Sequence, residues 1–285
     1  MPAADPPGQR YVERLPVPAL ADVVATVWLQ EVAAGAPAQP HRNLPHGGAE
    51  IVCTLGGAPC ITGPRTTALT EVLAPGTTVV GVRLRPGAAA LLGVPPAELV
   101  DRTVPVDALW GRAGTVLTGR VDAAGSPGVA LAALQHAVLA RRSDADPDPL
   151  VGEAVRLLAP GRDAGVAALP RLLSVSERTL RRRCQAATGV GLKALHRTLR
   201  FQGFLAMAQE AFAAGRTPDG LAGLAVRAGY ADQAHLTREC VRLAGTTPRA
   251  FLAESAQACA CGHDHAASYQ QALPGAAQAT TPVAS

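Results

Sequence analysis

Lysine is almost missing from this chain: Lys193 stands alone beside 25 arginines. That bias fits a GC-rich coding source as much as any chemistry. Aromatic residues make up only 3% of the chain, while Ala, Gly and Pro are abundant. No run of about 18 apolar residues occurs, which excludes an ordinary transmembrane helix. The amino end, MPAADPPGQRYVERLP, has no apolar signal core, so the expected compartment is the cytoplasm. Six cysteines, at 53, 60, 184, 240, 259 and 261, show no spacing of a disulfide framework. Also lacking are a Gly-rich phosphate loop, a nucleophile elbow and a paired-carboxylate motif, so a non-enzymatic protein is expected. An enzyme fused to a binding domain, as in DNA repair, would need a reactive cysteine in the amino half. Cys53 and Cys60 sit there without a basic cluster to favour a thiolate.

What is present is organised in segments. Residues 1–148 hold 11 arginines against 13 acids, a net −2. Residues 149–255 hold 14 arginines and Lys193 against 8 acids, a net +7, and the final 30 residues carry only Asp264. A basic excess confined to one segment points to an anionic partner. From 11 to 112 short Val-, Ile- and Thr-rich runs are broken by Gly and Pro, the pattern of a small β-rich domain. Residues 88–94 and 97–104 read as brief helical or turn insertions within it. Two helical stretches between 113 and 142 read as a linking or dimerising segment, and SDADPDP (143–149) as a flexible boundary. From 150 to 254 the reading is helical, and the Ala/Gly/Gln/Thr-rich tail from 256 reads as unstructured. The fold class expected is therefore two-domain α+β.

Within the basic segment, residues 174–189, SVSERTLRRRCQAATG, have a partner 56 residues downstream. Leu180, Arg182, Cys184 and Gly189 recur as Leu236, Arg238, Cys240 and Gly245, and Ser176 is matched by Asp232, both good N-caps. Each copy has a short helix, a tight connection and a capped helix, which is the helix-turn-helix pattern. Helical period puts Leu180, Cys184 and Ala187 on one buried stripe, with Arg178, Arg181, Arg182 and Gln185 outward. In the second copy Leu236, Cys240 and Leu243 are buried, and Gln233, Ala234, Thr237 and Arg238 face out. Arg can read guanine and Gln adenine bidentately, and either can hold phosphate. Arg183 lies beside the buried stripe, placed for a phosphate or a carboxylate. The helix between the copies is about 33 Å long at 1.5 Å per residue. That is close to the roughly 34 Å between successive major-groove faces.

At these residues, 150–254 resembles the tandem helix-turn-helix domain of AraC/XylS-family transcription regulators. SVSERTLRRRCQAATG, LHRTLRFQ and above all LAVRAGYADQAHLTRECVRLAGTTPRAF carry the resemblance. It implies a double-stranded DNA partner, with Arg178, Arg181 and Arg182 in one groove, Gln233, Ala234, Thr237 and Arg238 in the next, and Ser176, Gln185 and Asp232 also in the DNA-binding set. RNA polymerase, a small-molecule effector and a second copy of the chain are further partners it implies. Pro170 inside the first short helix, where it would remove one helical hydrogen bond, Leu192 where a Pro often stands, and cysteines at two buried positions depart from the pattern. The amino half is similar to the β-rich, often cupin-like sensory domain of a subset of these regulators, implying effector binding or dimerisation.

Two further candidates stand apart. CACGHDH supplies Cys259, Cys261, His263 and His265, soft ligands suited to Zn²⁺ or Cu(I) and a metal-responsive regulator, although one residue between the thiols is tight for structural zinc. His41, Arg42, His46, Glu50 and Arg65 either line an effector pocket or are ordinary surface and turn residues. Trp28 and Trp110 read as core anchors, with pocket lining as the alternative.

Overall fold

In the computed structural model, which describes residues 8–142, 147–159, 165–213 and 220–258, the Val- and Thr-rich runs are strands. They are β1 (Gln9–Arg14), β2 (Val24–Val32), β3 (Gln39–Asn43) and β4 (Glu50–Thr54), then β5 (Cys60–Thr62), β6 (Leu69–Leu73), β7 (Thr78–Leu84) and β8 (Thr103–Pro105). Six form one antiparallel sheet in the order β1-β2-β7-β4-β5-β8, and β3 pairs with β6 as a separate ribbon. Residues 88–92 and 96–99 are short 3-10 turns, but the insertion expected over 97–104 ends early, because Thr103 and Val104 pair with β5 as part of strand β8.

Side chains alternate between the two faces of a strand. One face of the sheet is aliphatic: Val27, Val80, Val82, Leu84, Ile51 and Ile61 are all buried there. Against it pack three helices, α1 (Val106–Trp110), α2 (Arg112–Asp122) and α3 (Pro127–Arg142). Their Trp110, Leu117, Val121, Leu134 and Val138 share that core. The stretch expected to link or dimerise is thus helical, but its apolar stripe belongs to the first domain's interior. The opposite face of the sheet is polar and lies under the β3–β6 ribbon.

The rest is helical, completing the two-domain α+β fold. Its elements are α4 (Pro149–Leu157), α5 (Leu169–Leu172), α6 (Glu177–Thr188) and α7 (Leu192–Ala213), then α8 (Gly220–Arg227), α9 (Gln233–Ala244) and α10 (Pro248–Ala258). The long α7 ties together two small cores. Leu192, Leu195 and Leu199 pack with Leu180 and Cys184 of α6, while Phe201, Phe204 and Leu205 pack with Leu236 and Cys240 of α9.

Pro170, read from the sequence as costing a helical hydrogen bond, costs none. It occupies the first turn of α5, where its missing N–H would have had no intrahelical partner. Leu192, also a departure, is 5% exposed and fills the first core.

The two domains touch along α6, α7, α9 and α10. Gln202 Nε2 donates to the Pro45 carbonyl (2.5 Å), and the Ala68 N–H donates to the Leu243 carbonyl (2.8 Å). Arg42 lies 5.8 Å above the Phe251 ring. Gly189 sits so close to the backbone at Pro96 that a Cβ there would come within 2.7 Å of it. The β-rich domain therefore holds both halves of the helical domain.

Candidate nucleic-acid interface

The two copies seen in the sequence are built alike, atom by atom. In the first, α5 ends with Val175 N–H donating to the Pro170 carbonyl (3.0 Å); in the second, α8 ends with Tyr230 N–H donating to Ala225 (2.9 Å). These six-to-one bonds are Schellman stops, which require a left-handed residue just before the donor. Gly229 provides it in the second copy (φ +81°), whereas Ser174 is forced into it in the first (φ +53°).

The following helix is then capped in the same way. Ser176 Oγ accepts from Thr179 N–H (3.1 Å) and Asp232 Oδ1 accepts from His235 N–H (2.6 Å). Each satisfies an orphan donor of the first turn. Both helices run 12 residues and stop at a left-handed glycine, Gly189 or Gly245. Ser176 and Asp232 were expected in the DNA-binding set, and their side chains are occupied as these caps.

The buried stripes fall where helical period puts them, except that Ala187 is only half-buried. Leu180, Cys184, Leu236 and Cys240 are fully enclosed and Leu243 is 2% exposed. Burial pushes the Cys184 thiol up to about 11 and the Cys240 thiol up to about 12, so both are small apolar fillers rather than nucleophiles. Outward, Arg178, Arg181, Arg182, Gln233, Ala234 and Arg238 are exposed, and Thr237 is half-buried. Arg181 has only a 4.0 Å, solvent-exposed approach to Glu177, worth little in water.

Three expected polar side chains carry local tasks. Gln185, exposed, donates through Nε2 to the Gly189 carbonyl (2.8 Å), and Thr237 Oγ1 donates to the Gln233 carbonyl (2.9 Å). Arg183, placed between phosphate and carboxylate, has a carboxylate. Its Nε donates to Asp148 Oδ2 (2.7 Å) and its Nη2 to Oδ1. Asp148 in turn caps α4 through the N–H groups of Leu150 and Val151. Partial burial alone would raise the Asp148 carboxyl; the Arg183 and backbone donors hold it below its ordinary value.

Sequence reasoning passed over four exposed cations. Arg171 in the last turn of α5 and Arg227 in the last turn of α8 are 56 residues apart, as are Lys193 and Arg249 just inside α7 and α10. The repeat offset that paired Arg182 with Arg238 would have found them. Each recognition helix is thus flanked by one cation before it and one after it, the arrangement that phosphate contacts use to fix register. By contrast Arg197 and Arg200 of α7 are spoken for. Arg197 Nε reaches Glu239 Oε2 (2.7 Å), and Arg200 lies 5.5 Å above the Tyr230 ring.

Residues 169–254 match a family model described as a helix-turn-helix domain. The carboxy-terminal unit is an AraC-type helix-turn-helix domain. Residues 12–105 match a model described as a domain of unknown function (DUF6597); it precedes the helix-turn-helix domain and spans all but the outermost part of the eight strands. No curated protein matches the chain. Among solved structures, ToxT from Vibrio cholerae O395 aligns over 86% of this chain and 95% of its own, at 10% identity and a TM-score of 0.40. An unsaturated fatty acid-bound ToxT from Vibrio cholerae strain SCE256 aligns over 86% and 93%, at 10% identity and 0.37. The AraC-like transcriptional activator CuxR aligns over 73% and 88%, at 14% identity and 0.21.

The tail ligand set Cys259, Cys261, His263 and His265 lies outside the described residues, as does the expected unstructured tail beyond 258; residues 256–258, read as its start, instead complete α10. No helix among the described residues is long and apolar enough to cross a membrane.

Proposed function

We propose that the protein is a sequence-specific transcription regulator that grips two successive major grooves of double-stranded DNA with α6 and α9. One observation carries this: two equally capped 12-residue helices, each with an exposed polar face, flank a single 22-residue helix. Arg178, Arg181 and Arg182 read or clamp one groove, and Gln233, Ala234, Thr237 and Arg238 the next. Arg171, Lys193, Arg227 and Arg249 hold phosphates on either side. Ser176 and Asp232 act through their backbone caps, which leave the first N–H groups of each helix aimed outward. Gln185 joins the set when it exchanges the Gly189 carbonyl for a base or phosphate. The β-rich domain takes a small effector, and its contacts with α6, α7 and α9 give that effector a route to the DNA-binding face.

The test is DNA pull-down sequencing across a bacterial genome with the purified full-length protein, followed by footprinting of the recovered site. A regulator protects a defined site. Arg182→Ala and Arg238→Ala should each weaken it by about 1–3 kcal/mol, the value of a bidentate base contact. A protein that coats any probe without preference, or unchanged affinity in both variants at fixed salt, overturns the reading.

A further inference from the structure

The strongest unexplained feature is the polar face of the six-stranded sheet. Cross-strand register lines up Glu13 of β1, Trp28 of β2 and Gly81 of β7 in one row. Tyr11 and Gln30 form the row beside it, and Arg83 and Glu50 pair on the other side. The β3 strand roofs this face, with His41 stacked 5.9 Å from Trp28 and Asn43 Nδ2 donating to Glu50 Oε2 (3.3 Å). A polar layer enclosed on both sides is costly unless every group finds a partner.

Here the partners run short on one side. Arg83 Nε donates to Glu50 Oε1 (2.6 Å) and its Nη1 to Glu13 Oε1 (3.3 Å), so one guanidinium serves two carboxylates, and the Tyr11 hydroxyl also donates to Glu13 Oε1. Glu13 is 4% and Glu50 1% exposed. The two imidazoles nearby add no charge at neutral pH, because burial pushes His46 down to about 4 and His41 down as well. Glu71, beside His41 on β6, adds more negative charge. Among the described residues, Glu13 Oε2, Gln30 Oε1 and Trp28 Nε1 are buried with no hydrogen-bond partner. Two orphaned acceptors, one carboxylate in excess and a single orphaned donor define the chemistry that fits this face.

Aromatic surface sharpens the assignment. A chain with three Tyr and two Trp places Tyr11 6.0 Å from Trp28 at this spot. Gly81 makes room for the indole: a Cβ there would meet Trp28 Cε2 at 2.3 Å. Gly81 and His41 cover the two indole faces, so it is the Trp28 Nε1 edge and the Tyr11 ring that stand beside the carboxylate.

We propose that this face, beneath β3, binds a small organic ammonium ion whose N–H groups donate to Glu13 Oε2 and Gln30 Oε1. Trp28 Nε1 donates to a hydroxyl or carbonyl oxygen on the same molecule. An anionic ligand is disfavoured, since Arg83 is already shared by Glu13 and Glu50. Burial first, and Glu50 after it, raise the Glu13 carboxyl, and a cation at Oε2 would oppose both.

The roof strand also makes the site consequential. Along residues 41–47, His41, Asn43 and His46 face the sheet. Arg42, Leu44 and Gly47 face the DNA-binding domain, at Phe251, the α7–α9 core and Leu195 respectively. A ligand under β3 therefore shares a wall with both helix-turn-helix units. This deepens the effector reading above and rests on it, but the binding test uses no DNA, so either can fail alone.

Calorimetry on the full-length protein at neutral pH would use methylammonium, 2-aminoethanol and benzylammonium, with ethylene glycol and benzyl alcohol as uncharged counterparts and acetate as the anion. The expected result is saturable binding of an amine but not of its uncharged counterpart. The Trp28 indole N–H resonance should move while that of Trp110, bonded to the Leu92 carbonyl (3.1 Å), stays. Glu13→Gln should weaken binding about tenfold or more, the loss of a charge-assisted hydrogen bond. No amine binding by the wild-type chain, equal binding of the uncharged compounds, a preference for acetate, or unaltered binding in a folded Glu13→Gln variant overturns the proposal.

Discussion

Ser174 and His46 show how single residues are set by their surroundings. Ser174 is held at φ +53° because the stop of α5 needs a left-handed residue, and its counterpart Gly229 meets that need without a Cβ. Ser174→Gly should stabilise the protein by about 0.5 kcal/mol, relief of left-handed strain less the added freedom of the unfolded chain. Paired urea melts would read it, and a destabilised variant would show that Ser174 has another task. His46 is shifted by burial first, with Arg83 adding to the same direction and Glu50 opposing it. The unfolded chain takes up its proton below about 6.5, while the folded chain resists down to about 4. Stability from this group is therefore full above 6.5 and lost as pH falls toward 4, on the order of 1–3 kcal/mol. His46→Gln should flatten that part of the pH–stability curve, and an unchanged slope would contradict the burial.

At the scale of the element, the two recognition helices are equivalent in caps and stripes but not in anchorage. The first is tied to α4 through the Arg183–Asp148 pair, the second to α7 through Glu239 and Arg197. Asp148→Ala removes a cap and strands Arg183 together. It should cost about 1–2 kcal/mol, within the range for a lost N-cap, and lower first-unit hydrogen-exchange protection more than second-unit protection. Leu180→Ala and Leu236→Ala each open a cavity in a small core and should cost about 2–5 kcal/mol, measured by thermal melting. Both helices were legible in the chain because Leu180, Cys184 and Ala187, and their counterparts, repeat at helical spacing. Pro170 was misread as a defect because the start of α5 depends on the 3-10 turn at 166–168 that precedes it.

For the whole molecule, charge and contact between domains matter most. The net +7 of residues 149–255 predicts DNA affinity that falls steeply with salt. Arg171→Ala, Lys193→Ala, Arg227→Ala and Arg249→Ala should each weaken binding evenly across sequences. Each should also lower the slope of log affinity against log salt by about 1. A variant that alters base preference instead would move its residue from phosphate holding to readout. The seam at Gln202–Pro45 and Ala68–Leu243 joins the domains through backbone carbonyls, so no side-chain pattern announced it.

The sequence by itself determined the β-then-α order, the paired helix-turn-helix units and the outward arginines. All three follow from periodicity, which is local. It named His41, Arg42, His46, Glu50 and Arg65 as pocket candidates without deciding between pocket and surface. Only the tertiary structure brought His41, His46 and Glu50 together with Glu13, Trp28, Gln30 and Arg83 and turned Arg42 to Phe251, because strand register joins residues as far apart as 13 and 83. It also drew the helices of 112–142 into the first core and gave Asp148 its arginine. Those outcomes depend on which surfaces meet once the chain has folded, and spacing along the chain does not carry that information.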